Sequence, residues 1–211
     1  LELALRATQA PALYSTLGYA SAEVEQTLTR SIDLSRILGE RTHAFSMRWG
    51  LWVCTTVQGR HPEAVPIARE LIALAERAGD TGLRLEASLA LGHSMYYLPD
   101  LVEGTAQLDT TIALFDPDEH GDHRHQYGQD PLVMACGFCG LMYWLRGDPA
   151  TAQARISTGL ARAAALDHPL SSVMIHTMEV VHSQLRREPE RTRQAAEVVI
   201  RLAGHHQMEF W

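Results

Sequence analysis

Three short constellations hold side chains capable of chemistry. The first is Cys136-Gly137-Phe138-Cys139. A C-x-x-C pair turns over disulfides when it opens a helix, because the helix N-terminus lowers the thiol pKa. This pair lies inside an apolar run, and Cys54 is the only other cysteine, so no second pair completes a zinc site. Small buried thiols packing against a neighbouring helix are the simpler reading. The second is Asp116-Pro117-Asp118-Glu119-His120-Gly121-Asp122-His123-Arg124-His125. Here His120, His123 and His125, with the intervening aspartates, offer imidazole and carboxylate donors of the kind that hold Zn²⁺ or Ni²⁺. Their spacing matches no established ligand pattern, and a solvated connection is expected instead. The third is Glu179-Val180-Val181-His182, the E-x-x-H spacing of di-iron bundles. Those bundles need a second such pair and two further carboxylates in one core, and no such set is apparent. With no G-x-S-x-G, H-E-x-x-H or G-x-G-x-x-G either, no catalytic residue, metal ligand or cofactor is assigned.

Composition narrows the classes further. All 18 cationic side chains are Arg; the 211-residue chain contains neither Lys nor Asn. A phosphate-loop lysine, a Schiff-base lysine and an N-glycosylation acceptor are therefore excluded. A net charge of -7 leaves no basic footprint for a nucleic-acid backbone. Three cysteines are too few for a disulfide scaffold, which points to a reducing, cytoplasmic setting. No run approaches the ~20 apolar residues of a membrane span. The chain opens on Leu1-Glu2-Leu3-Ala4-Leu5 without Met and closes on Phe210-Trp211 without a cap, the pattern expected of a segment cut from a longer protein.

The elements that must position these residues read as helices throughout. Val65, Ala68, Ile72 and Ala75 recur at helical spacing, as do Ala152, Ile156, Leu160 and Ala163, and Ala195, Val198, Val199 and Leu202. No period-two alternation is sustained. Polar breaks recur at Gly59–Pro62, Pro99-Asp100, Gly147–Pro149 and Glu188-Pro189, each followed by a helix whose first turn tolerates Pro. A second set falls at Gly39-Glu40, Gly79-Asp80, Asp116-Pro117, Asp167–Pro169 and Gly204-His205, where glycine suits a left-handed cap. Two breaks per period of about 40 residues describe a helix-turn-helix repeat. Small residues recur in phase: Gly50, Gly92 and Gly140 in first helices, and Ala64, Gly104, Ala152 and Thr192 early in second helices, where two backbones can approach. The expected fold is all-α, a right-handed superhelix of about five antiparallel hairpins at 1–39, 40–79, 80–116, 131–167 and 168–204. An inserted loop, 117–130, interrupts it, with almost no apolar anchor through His125 and with Tyr127 able to dock.

The spacing of these small residues resembles the L-G-x-x-Y…A signature of the tetratricopeptide repeat, with helices about one turn longer. Gly18–Glu25, Leu38-Gly39-Glu40, and Tyr127-Gly128-Gln129-Asp130-Pro131 ahead of Tyr143–Pro149 resemble more particularly the carboxy-terminal repeats of large bacterial signalling proteins. In that family a class III nucleotide cyclase or DNA-binding domain is joined to an AAA-type signal-transduction ATPase. The resemblance covers nearly the whole chain and implies no catalytic residue, since the cyclase and ATPase motifs of that family precede the repeats.

In stacked hairpins the first helices line a concave face, and displacements of −6, −3, +1 and +4 from the small glycine point to it. That phase selects Met47 and Cys54, Glu86, His93 and Tyr96, and Gly137 and Trp144, with Glu179 and His182 in a looser register. His93, Tyr96 and Trp144 are expected to share one groove, and Tyr127 and Asp130 to form a recognition loop. The function this implies is a non-catalytic sensor or interaction module that binds a protein, peptide or small ligand, with no nucleic acid or membrane partner and homodimerisation as an option. The rival readings are a metal or redox protein using His120, His123, His125, Cys136 and Cys139, and a structural spacer or dimerisation arm.

Overall fold

Several helices begin at side chains that accept an otherwise unpaired backbone N–H. A computed structural model describes residues 18–39 and 43–208, together with Glu2, Leu5 and Leu13. Most of the first helix expected in hairpin 1–39, the Glu40 break and the terminal Leu1 and Phe210-Trp211 lie outside the described residues. Within them the longer helices are α1 (Ala22–Leu38), α2 (Ala44–Val57), α3 (His61–Ala78), α4 (Thr81–Tyr97) and α5 (Leu101–Leu114). Two single turns, α6 (Pro117–His120) and α7 (His123–Gln126), precede α8 (Pro131–Leu145), α9 (Pro149–Ala165), α10 (Pro169–Leu185) and α11 (Pro189–His205). Ser21, Asp80, Asp100 and Asp148 accept from the N–H of Glu23, Leu83, Glu103 and Thr151. Pro occupies the first turn of α3 and of α8 to α11. Gly39 and Gly79 close α1 and α3 in the left-handed conformation. Gly204, expected to do the same, is helical, and Gln207 at φ 53° takes that conformation instead.

The turn between the two helices of a hairpin recurs with one geometry. Gly59, Gly147 and Arg187 donate their N–H to the carbonyls of Thr56, Trp144 and Gln184 at 2.9–3.0 Å. The next residues, Arg60, Asp148 and Glu188, donate to Thr55, Tyr143 and Ser183 at 2.9–3.0 Å. The paired bonds satisfy carbonyls that the helix end would leave without partners.

The chain forms two compact units, 1–98 and 99–211. In the first, α1 packs on α2, α2 on α3 and α3 on α4; in the second, α8 packs on α5, α9 and α10, and α11 on α10. The two helices of the expected hairpin 80–116 thus belong to different units. α8 is apolar around its whole circumference, from Val133 to Met142, because three helices cover it. On α3 the buried stripe is Ala64, Ala68, Leu71 and Ala75, one position off the Val65 and Ile72 of the sequence pattern.

Missing side chains set the helix spacing around α8. A Cβ at Gly140 would lie 2.8 Å from Ile156 Cγ1 and 3.1 Å from the Ala152 carbonyl oxygen on α9. One at Gly137 would lie 2.9 Å from Met178 Cγ on α10, and one at Gly159 would meet Ile175 Cδ1 at 2.6 Å. Side chains at the helix ends then tie each hairpin to the preceding helix. Gln58, Arg146 and Arg186, which cap α2, α8 and α10, donate to Glu25 on α1 at 3.1 Å, to Thr105 on α5, and to Gln153 on α9 at 2.6 Å. Each acceptor follows a buried small or apolar residue, Val24, Gly104 or Ala152. The corresponding cap of α4 is Leu98, which has no side-chain donor, and the first unit ends there.

The segment 117–130 contains the two single turns α6 and α7. His120 is buried, accepts the Asp116 N–H on Nδ1 at 3.0 Å, and lies 6.1 Å from the Phe115 ring and 5.2 Å from His123. His120 thus supplies an anchor before Tyr127: an imidazole whose Nδ1 accepts a backbone N–H packs as an aromatic ring.

Replacing Gly140 by Leu is expected to cost about 1–3 kcal/mol or more, because the α9 backbone cannot recede from α8 without opening the second unit. Urea denaturation should show this loss, whereas Gly147→Ala, with open space around its Cβ, should cost only about 1 kcal/mol through its positive φ.

Candidate functional site

The first-helix positions that the repeat register directs to one face are mostly closed. Met47, Cys54, Glu86, His93 and His182 are buried, as is Gly137. They are core positions and do not form an open face, because this phase of each first helix meets neighbouring helices: Cys54 joins Val24 and Leu28 of α1, and Gly137 meets Met178 of α10. His93 is held between Trp52, at 5.5 Å, and Tyr97, at 5.3 Å, and Tyr97 stacks on His61 at 4.0 Å. Trp52 is fixed in turn by donating to Ser94 at 2.9 Å. Tyr96 is half-buried beside Tyr97, and belongs to the first unit. Trp144, also half-buried, belongs to the second, where it meets the His182 ring edge-on at 5.5 Å and the Arg186 guanidinium at 5.9 Å. Burial lowers the His182 pKa, as do the nearby Arg186 and Arg191, and its Nε2 has no hydrogen-bond partner among the described residues.

Of that set, Glu179 lies on an open cavity. A groove of about 590 Å³ separates the later half of α10 from the first turns of α11. Pro189, Ala195 and Val198 supply its apolar walls; His176, Glu179, Glu190, Arg191 and Gln194 supply its polar ones. The Glu179 carboxylate meets His176 Nδ1 at 3.1 Å and Arg191 Nη2 at 3.2 Å, and these partners hold its pKa below the usual carboxylate value. Glu188 and Glu190 are likewise paired, with Arg186 at 2.7 Å and Arg193 at 2.6 Å. The groove therefore carries ordered hydrogen-bonding groups with little net charge. Sequence reading missed His176, Arg191 and Gln194. The i, i+3 spacing of His176 and Glu179 on one helix was the available signal; the contact with Arg191 required the hairpin.

Asp130 and Tyr127 have separate roles. Asp130 is wholly buried: it caps α8 through the Val133 N–H at 3.0 Å and pairs with Arg162 of α9 at 2.9 Å. Its own N–H donates to Ser171 Oγ, which also meets His168 Nδ1 at 2.8 Å, so it joins α8, α9 and α10 and does not face a ligand. Tyr127 is half-buried, 5.2 Å from His123. A second polar cluster was absent from the sequence reading. Asp109 on α5 accepts from Tyr143 Oη and Arg155 Nη2, both at 2.6 Å, and from Cys139 Sγ at 3.5 Å. The Tyr143 hydrogen bond to Asp109, with burial, pushes that phenol up to about 12.

The thiols are poor nucleophiles in this setting. Burial pushes Cys136 up to about 12 and Cys54 to about 11, and raises Cys139 further, with Asp109 adding to the effect. Among the described residues no three His, Cys, Asp or Glu side chains converge on a point where a metal could sit. Among the same residues, no helix is long and apolar enough to cross a membrane.

Comparison with known proteins places the fold. No family model matches the chain. It is similar in structure to the nearly identical TPR-like repeats of a putative kinesin light chain of Podosopora anserina, with a TM-score of 0.63 and 14% identity over 97% of this chain and 96% of that one. A second crystal structure of those repeats, carrying a single substitution, gives a TM-score of 0.65 at 14% identity, over 98% of this chain and 96% of that one. The class so defined is an all-α, tetratricopeptide-like repeat protein. In sequence it is similar to an uncharacterized protein of Rhizobium meliloti (strain 1021), 21% identical over 203 residues. That match takes in 94% of this chain and only 19% of the relative's length.

Two consequences are measurable. Burial, with a smaller contribution from His61, keeps His93 neutral in the folded chain down to about 3, against an ordinary 6.5. The unfolded chain therefore binds the extra proton first, so stability is constant above pH ~6.5 on this group's account and falls from there toward pH ~3. Urea midpoints at pH 7.5 and 5.0 should differ less in His93→Phe than in the parent. Separately, Asp130→Ala removes a cap and leaves Arg162 without its partner, with an expected loss of about 3 kcal/mol. Asp130→Asn should lose less in the same titration, because its amide oxygen still caps α8.

Proposed function

We propose that this chain is a non-catalytic recognition module of a cytoplasmic bacterial signalling protein, which takes a segment of a partner protein into the groove between α10 and α11. The observation that carries this reading is the groove itself: apolar walls from Pro189, Ala195 and Val198 beneath the preformed Glu179–His176–Arg191 array. Apolar walls hold side chains, and fixed polar groups at the rim select orientation, as in pockets that bind peptides. The sequence resemblance supports the setting, a repeat region whose cyclase or DNA-binding domain and ATPase lie in other parts of the same protein. Association would reach the rest of the protein through neighbouring hairpins, since each repeat passes strain to the next. Catalysis has no part in this reading, and neither a cofactor nor a nucleic acid is required.

Selection of random dodecapeptides displayed on phage tests it. Binders should recognise the parent chain and lose at least tenfold in affinity toward Gln194→Trp, whose indole fills the groove from its exposed rim, while far-UV circular dichroism is unchanged. Selected peptides that bind Gln194→Trp as well as the parent would sink the groove as the recognition site.

A further inference from the structure

Arg187 occupies a position where the two sister turns carry glycine. Its φ is 61°, beside 75° at Gly59 and 85° at Gly147, and all three make the same N–H bond to the residue three positions back. A side chain in this left-handed conformation strains the backbone, so Gly is the low-energy choice. Among the described residues nothing offsets that strain. Among the described residues the exposed Arg187 guanidinium makes no hydrogen bond, ion pair or ring contact, whereas Arg186 and Arg193 beside it are both paired. Backbone strain kept at one residue without an internal return marks places where a side chain is needed for something outside the fold.

That side chain stands on a second cavity, of about 580 Å³, on the side of α11 away from the α10 groove. Gln184, Arg187, Glu188, Pro189, Thr192, Arg193 and Ala196 line it. Its carboxylate, Glu188, is engaged by Arg186, and its other cation, Arg193, by Glu190 and Glu197. The Gln184 amide makes no side-chain hydrogen bond among the described residues. The uncompensated donors are therefore a guanidinium and a primary amide, at the rim of a cavity whose walls include Pro189, Ala196 and the Thr192 methyl.

We infer that Arg187 and this cavity form an anion subsite that receives an acidic side chain of a partner protein followed by an apolar residue. A guanidinium meets a carboxylate through two parallel N–H bonds, an arrangement the planar fork of Arg favours. The neighbouring apolar side chain would cover Pro189 and Ala196. This surface shares Glu188 and Pro189 with the α10–α11 groove, whereas Arg187, Thr192 and Ala196 line this cavity and not that groove, and report on it separately.

Nuclear magnetic resonance titration with N-acetyl-Glu-Leu-amide tests the subsite, with N-acetyl-Gln-Leu-amide and inorganic phosphate as controls. The acidic dipeptide should move the Arg187 Nε–H, Thr192 and Ala196 signals, leave His176 and Val198 unmoved, and bind at least tenfold more tightly than the neutral one. In Arg187→Gly the preference between the two dipeptides should disappear while the thermal midpoint rises, as relief of the strained turn requires. Arg187→Gln, which keeps a side chain at the same φ, should lose the preference without the gain in midpoint. Equal binding of the two dipeptides, the same shifts with phosphate, an unchanged preference in Arg187→Gly, or a lowered midpoint in that variant would each overturn the assignment.

Discussion

Around α8, missing Cβ atoms let two neighbouring helices approach closely. Gly140 admits Ile156 and the Ala152 carbonyl of α9, Gly137 admits Met178 of α10, and Gly159 admits Ile175 beside Cys136. These contacts fix the distances from α8 to two neighbouring helices, and α5 covers a further side. The rest of the second unit follows from that approach. α8 has no solvent face from Val133 to Met142, which is why its C-x-x-C pair is sealed and its thiols are held protonated. Tyr143 and Cys139 converge on Asp109 because α5 lies against the same helix. Asp130 can be wholly buried because Arg162 and Ser171, from the next two helices, reach it at the start of α8.

A second, weaker constraint acts at the ends of the first helices. Schellman-type turns return the chain with one geometry, and the capping residue just before each turn reaches to the preceding second helix. Gln58, Arg146 and Arg186 differ in type but place a donor at the same point. In α10 that use of Arg186 leaves the adjacent Arg187 outside the network. The last hairpin thus combines an exposed second helix with a groove on each side of its first turns, both lined by paired charges, and with Arg187 added on one side without a partner among the described residues.

The closure of the face presented by the first helices shows how neighbours decide what a residue does. His93 and Tyr96 lie three residues apart on one helix, yet Trp52 and Tyr97 enclose the first and leave the second half-exposed. Glu179 and His182 have the same relation on α10: Glu179 keeps 12% of its side-chain surface and reaches Arg191, while His182 is covered by Trp144. Metal-like spacing in 116–125 had an equally local outcome, with His120 turned inward to accept the Asp116 N–H.

By itself the sequence determined the all-α class, the breaks at Gly79-Asp80, Pro99-Asp100 and Gly147–Pro149, the first-turn prolines, the period near 40 and the small residues at Gly140 and Ala152. Each of these depends on interactions within about four residues, or on the absence of a side chain, and both are visible in a single chain. Tertiary structure alone decided which faces close. It made the Met47, Cys54 and Glu86 positions core, joined Glu179 to Arg191 across a hairpin, tied Asp109 to Tyr143 and Arg155, and divided the chain after Leu98. The polar contacts among these join residues from 12 to 46 positions apart, whose distances depend on how closely neighbouring helices pack. Helical periodicity gives the direction of a side chain from its own axis and is silent on what stands opposite it.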